Sequence, residues 1–280
     1  MKRVYGCLLL TGLLLSLTGC GGPVDAASAG SGFSGKLTLT GSSTVAPLAS
    51  EIAKRFEAQH PGVRIDVQTG GSSRGIADAH SGLADLGMSS RALKDAEKPG
   101  VQTFVLAQDG VAFVVHSGNP VASLSNDQIL AVFTGRITNW SQLGGPDAPI
   151  TAINRAEGRS ELELVTKFFG VKPSDIKPTL VAGENQECVK LVAGNPHAIT
   201  YLSVGTAEYE ALRGTPLKLL PFDGVPASTV TVGDGSFPLA RPLVLIAKRG
   251  ASGLARAFVD YATSPAVDDL IAEQSFVSPR

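Results

Sequence analysis

What most constrains this chain is an alternation that runs from Lys36 to the end. Short β-branched runs are followed by stretches whose apolar residues recur at helical spacing. Lys36–Thr40 predicts a strand, and a helix over 44–59 follows with Val45, Leu48, Ile52 and Phe56 on one face. Strands at Arg64–Gln68, Ala84–Met88 and Thr103–Leu106 and a short helix over Ser73–Ser81 continue the pattern. Such alternation builds α/β units around a largely parallel sheet. Gly110–His116 and Arg241–Lys248 are continuous apolar runs inside their polar end residues, as strands covered on both faces are. They are expected to cross together between two lobes, each a sheet flanked by helices. The second lobe takes its strands from Ile150–Asn154 and Ala198–Leu202 and its helices from Asn126–Phe133, Ser160–Phe169 and Gln186–Ala193. Helices over Gly253–Ala262 and Ala266–Gln274 return to the first lobe, so residues 36–110 and 238–280 form lobe 1 and 111–237 form lobe 2.

The segment before this pattern has another purpose. Lys2 and Arg3 precede an apolar stretch, Leu8–Leu17, too short to span a bilayer. It ends in Leu17-Thr-Gly-Cys20, which resembles the bacterial lipobox. Residues 1–19 are thus expected to be a signal peptide and Cys20 a lipidated first mature residue, anchoring the chain outside the cytoplasm. The Gly/Ser/Ala-rich stretch 20–35 is expected to be a flexible tether. Loss of Lys2 and Arg3 leaves 22 basic against 25 acidic side chains, a balance that excludes a nucleic-acid footprint. With Cys7 removed and Cys20 acylated, Cys188 has no disulfide partner and is expected to be buried. Four histidines at scattered spacings offer no zinc site, so neither a metal nor a cofactor is expected.

Three segments place small residues and hydroxyls where a strand gives way to a helix: Gly41-Ser-Ser-Thr44, Gly70-Gly-Ser-Ser73 and Gly158-Arg-Ser160. Helix starts of this kind cap themselves, and Ser160 with Glu163 fits a capping box. They also present free N–H groups to an anion, and three of them at strand ends lie where α/β proteins place ligands. Arg155 follows a strand and can donate two parallel bonds to an oxyanion, with Glu157 available to steer it. Asp109, beside such a site, is the candidate acceptor for a ligand that carries a proton. No Ser with a matched His and no metal cluster supports phosphate-ester hydrolysis, so an enzyme is not expected.

In order along the chain, Gly41-Ser-Ser-Thr-Val-Ala-Pro-Leu48, Gly70-Gly-Ser-Ser-Arg-Gly-Ile76, Ala84-Asp-Leu-Gly-Met-Ser-Ser-Arg91, Asp109-Gly-Val-Ala-Phe-Val-Val115, Phe133-Thr-Gly-Arg-Ile-Thr-Asn-Trp140 and Asn195-Pro-His-Ala-Ile-Thr-Tyr-Leu202 resemble the phosphate-binding proteins of phosphate ABC transporters, within the type II periplasmic binding-protein superfamily. The resemblance runs from Lys36 to Val277. It implies an interlobe cleft that binds inorganic phosphate and a monomer that delivers it to the membrane permease of an ATP-driven importer. Other tetrahedral oxyanions (sulfate, molybdate, arsenate) and phosphate sensing without transport are the alternatives. The implied ligand contacts are Thr44, Ser72 and Ser90 with Ser43 added, and Arg155 with Glu157 as its orienting acid. Arg159, Ser160 and Asp109 complete the expected site. Where the family has Arg-x-Asp-Gly-Ser-Gly-Thr, this chain has Arg155-Ala-Glu-Gly-Arg-Ser-Glu161, so Arg159 and Glu161 replace hydroxyls.

Overall fold

A computed structural model describes residues 32–279. The expected signal peptide, Cys20 and the tether up to residue 31 lie outside the described residues. In chain order the elements are β1 (Ser34–Gly41), α1 (Ala46–Gln59), β2 (Gly62–Thr69), α2 (Ser72–Ser81), β3 (Leu86–Ser89) and β4 (Val101–His116). Next come α3 (Asn126–Phe133), β5 (Thr151–Arg155), α4 (Ser160–Phe169), β6 (Leu180–Ala182), α5 (Asn185–Ala193), β7 (Ala198–Ser203), α6 (Val204–Leu212), β8 (Leu217–Leu219) and α7 (Thr229–Gly233). β9 (Ala240–Lys248), α8 (Gly253–Ala262) and α9 (Asp268–Glu273) end the chain. None of the described helices is long and apolar enough to cross a membrane.

The strands lie in the order β2-β1-β3-β9-β4-β7-β5-β6, with β8 also paired to β4. Pairs at each end are parallel, as strand–helix alternation requires, but β9 runs antiparallel to both β3 and β4, and β4 antiparallel to β7 and β8. Two large cores follow from this arrangement. One gathers side chains from Leu37 to Ala107 and from Leu243 to Phe276, the other from Val111 to Leu239. They are the cores of two lobes, and β4 contributes to both.

Two sequence expectations are corrected here. Thr103–Leu106 and Gly110–His116 are one strand of 16 residues, with a register shift between Val105 and Ala107 against β9. Asp109-Gly110, a turn signal in isolation, is held extended because Asp109 pairs with Arg241 and Gly110 with Ala240. The tether ends sooner than expected, because Ser34 and Gly35 already pair with Gly62 and Val63 of β2. β6, β8 and α7 have three to five residues each, too few to impose a readable period. Cys188 is fully buried, as expected.

Candidate functional site

Each of the three predicted turns starts a helix at the cleft, and each does so by a different local device. At the first, Ser42 Oγ accepts from the backbone N–H groups of Thr44 (3.2 Å) and Val45 (3.4 Å), which delays α1 to Ala46 and leaves the Thr44 side chain facing inward. At the second, Gly71 takes φ +93° as N-cap, and Ser72 Oγ accepts from Ser90 N–H (3.1 Å), tying α2 to the end of β3. At the third, Arg159 is the N-cap of α4 and Ser160 its first residue. The expected capping box is absent. Glu163 instead accepts from Ser73 Oγ (3.0 Å) and lies 3.1 Å from Arg91 Nε and 2.7 Å from Lys94 Nζ. These bonds join α4 of one lobe to elements of the other.

The hydroxyls meet in a buried chain. Ser42 Oγ donates to Ser90 Oγ (2.8 Å), and Ser90 Oγ lies 2.6 Å from Ser160 Oγ. Arg241, fully enclosed, reaches into the same space from β9. Its Nη1 donates to Ser160 Oγ (2.9 Å) and its Nη2 to Thr44 Oγ1 (3.2 Å). Asp109 stands directly opposite on β4, and its Oδ2 accepts from Arg241 Nε (3.2 Å) and Nη2 (2.9 Å). Asp109 Oδ1 accepts from Gly205 N–H (3.1 Å) in the first turn of α6, where the helix dipole favours an anion. Two opposed strands at the crossing therefore fix one guanidinium with one carboxylate.

Between Arg241 and Arg155 lies Glu161, also buried. Its Oε1 accepts from Thr44 Oγ1 (3.1 Å) and pairs with Arg241 Nη1 (2.9 Å), while Oε2 lies 3.8 Å from Arg155 Nη2. Burial disfavours its charge, but the two guanidinium groups overcome that and hold its pKa down to about 2, from an ordinary 4.5. For Arg241 and Arg155 burial acts to lower the pKa, yet Glu161 raises both, with Asp109 adding to Arg241. A folded-state pKa below the unfolded one gives stability that is whole above about pH 4.5 and is lost as pH falls towards 2, about 3 kcal/mol in all. Urea unfolding of the parent and Glu161→Gln is expected to show a steeper fall in the parent across that window. Equal slopes would remove Glu161 from the acid response.

Not every expected residue meets the cluster. Thr44, Ser72, Ser90 and Ser160 do, but Ser43 is turned to a groove of about 570 Å³ lined also by Glu184, Asn185 and Tyr209. Ser42 takes the inward position instead, its Oγ donating to Ser90 Oγ. Arg155 is fully buried and its fork is turned to its own lobe: Nη1 donates to Glu184 O (3.0 Å) and Cys188 Sγ (2.8 Å) and Nη2 to Gly183 O (3.0 Å), while Nε has no hydrogen-bond partner. It locks the start of α5 rather than presenting a free fork. Glu157 is exposed and makes no bond to Arg155, whose carboxylate neighbour is Glu161. Arg159 pairs with Glu184 (2.9 Å) at the edge of the cluster. Asp109 is no free acceptor, because both its oxygens are engaged by Arg241 and Gly205. Arg241, Glu161 and Asn185, whose Nδ2 donates to Thr44 Oγ1 (2.9 Å), complete the cluster. Arg241 had one sequence signal: a lone charge at the head of a strand otherwise apolar must find a buried partner.

Among the described residues no group of three or more His, Cys, Asp or Glu could hold a metal ion. What the cluster offers is a linked set of buried hydroxyls from both lobes beside the Arg241 guanidinium, with Thr44 and Arg241 also donating to the carboxylate of Glu161. Chains with the same layout are known. The structure of a phosphate ABC transporter substrate-binding protein with bound phosphate from Clostridium perfringens superposes with a TM-score of 0.80 at 30% identity, covering 88% of this chain and 100% of that one. An ABC-type phosphate transport receptor from Vibrio cholerae gives 0.72 at 29% identity, over 87% of this chain and 100% of that one. In sequence, the phosphate-binding protein PstS of Bacillus subtilis is 28% identical over 283 residues, spanning 96% of this chain and 92% of the relative. The model of the PBP superfamily domain matches residues 26–266, and with that span the chain belongs to the PBP superfamily.

Proposed function

We propose that this chain captures inorganic phosphate between its lobes and hands it to the permease of an ATP-driven importer. One observation carries this: the buried hydroxyls of Ser42, Thr44, Ser72, Ser90 and Ser160, drawn from both lobes, gather in one linked set beside the guanidinium of Arg241, which donates to Thr44 and Ser160. Tetrahedral oxyanions need that kind of all-round donor set, and Arg supplies the charge-assisted part. Similarity to relatives named for phosphate, one of them with phosphate bound, supports the choice of ligand. A substrate-binding family supports capture rather than chemistry. The two lobes are taken as residues 36–110 with 238–280, and 111–237. They close by bending at β4 and at the entry to β9, where each chain passes from one core to the other.

The N-terminal sequence supports an extracytoplasmic site of action. Cys20 in its lipobox-like context would hold a monomer to the outer face of a bacterial membrane, with the following stretch giving it reach. Calorimetric titration of the purified chain with phosphate, arsenate, sulfate and molybdate tests the proposal. Phosphate is expected to bind with a dissociation constant at or below the micromolar range, about −8 kcal/mol. Heat from sulfate or molybdate but not from phosphate would replace the ligand. Heat from none of them would end the oxyanion reading.

A further inference from the structure

Beside the linked hydroxyls lies an anionic group that belongs to the chain itself, the carboxylate of Glu161, held by Thr44 and Arg241. Glu161 extends from the first turn of α4, in lobe 2, and its carboxylate is bonded to Thr44 of lobe 1 and to Arg241 at the crossing. Its Oε1 takes two donors, and Oε2 faces Arg155. The charges balance: Arg155 and Arg241 stand against Asp109 and Glu161, all four buried. No cation within this cluster is left to attract an incoming anion. Two grooves, of about 480 and 570 Å³, reach Ser160 with Arg241 and Asn185 respectively, but neither is lined by Glu161 or Thr44.

We propose that Glu161 is a built-in surrogate ligand: its carboxylate holds the unliganded cleft shut, and an oxyanion binds by displacing it from Thr44 and Arg241. The inference rests on the oxyanion reading above and adds the residue that sets its threshold. A carboxylate has two of the oxygens a tetrahedral oxyanion would bring, so it occupies the Thr44 hydroxyl and the Arg241 guanidinium while the ligand is absent. Keeping both anions in one buried site would place like charges together with no added cation, which is why exchange is expected rather than joint occupancy. Release is helped in the same way, because returning Glu161 competes for the donors that hold the ligand.

The test uses the purified chain and its Glu161→Gln and Glu161→Thr variants, dialysed free of phosphate. Gln removes the charge at nearly constant shape. Thr restores a short hydroxyl and serves if the Gln variant fails to fold. Without ligand, small-angle scattering is expected to show a compact parent and a more open variant, since two guanidinium groups then face one carboxylate. Titrated with inorganic phosphate, the variant is expected to bind at least tenfold tighter than the parent. A ligand-free variant as compact as the parent, or one that binds phosphate equally or more weakly, overturns the proposal. Weaker binding would make Glu161 a direct contact that accepts the ligand's proton. A parent that binds no phosphate sinks the functional reading alone, because the scattering comparison judges the latch with no ligand present.

Discussion

Arg241→Ala is expected to abolish phosphate capture and to destabilise the fold by about 3–5 kcal/mol. Arg241 is 4% exposed, and its guanidinium bonds Asp109, Glu161, Ser160 and Thr44 at once. Removing it leaves two carboxylates buried, with Asp109 keeping only Gly205 N–H and Glu161 keeping Thr44 and the more distant Arg155. An uncompensated buried charge is among the few changes that cost this much. For a chain of this size the loss corresponds to a fall in Tm of about 10 °C. Arg241→Lys is not expected to rescue, because one ammonium cannot serve four partners spread around a planar fork. Thermal unfolding and phosphate titration of both variants check this. A Tm within about 2 °C of the parent would show that Asp109 and Glu161 find other partners.

The second large effect is expected at Gly41, the last residue of β1. Its φ is +134°, and a Cβ there would stand 2.2 Å from Met88 O and 2.9 Å from Gly75 Cα. Both neighbours are backbone, from β3 and α2, so neither can rotate away. Gly41→Ala therefore combines backbone strain with overpacking, about 1–3 kcal/mol each. The same junction sets the site. Gly41 O accepts from the N–H groups of Gly70 and Gly71 (both 2.9 Å), and Ser42 N–H donates to Met88 O (2.9 Å). Moving it displaces Ser42 and Ser72 together. The variant is expected to lose about 3–5 kcal/mol in urea unfolding and to bind phosphate at least a hundredfold more weakly. Gly224→Ala, at φ +76° with no atom within 4 Å of the added methyl, is the matched control for strain without crowding. If Gly41→Ala costs no more than that control, close packing at the junction is not what holds the turn.

Much of the fold was legible in the sequence because its signals are local. The spans Asn126–Phe133, Ser160–Phe169 and Gly253–Ala262 follow from helical periodicity bounded by caps and glycines, and the structure has helices at those bounds. Part of the donor side was legible for the same reason: hydroxyls near a turn glycine mark a helix start, and Thr44, Ser72 and Ser160 reach the cluster, while Ser90, which also reaches it, was implied only by the resemblance. Charges were assigned far less well. Arg155 and Asp109 each carry a side chain suited to the expected role, but a long polar side chain is oriented by partners that sequence spacing does not reveal. Arg155 turns to the carbonyls of Gly183 and Glu184, and Asp109 to Arg241, 132 positions away. Register between β4 and β9 decides the latter, and it arises only when both strands are paired in one sheet. The sequence by itself determined which segments become strands and helices and which turns carry donors, since those depend on neighbours within a few residues. Only the tertiary structure decided which cation occupies the centre and which anion meets it, because burying a charge is tolerable only beside its partner, and the partner is chosen by packing.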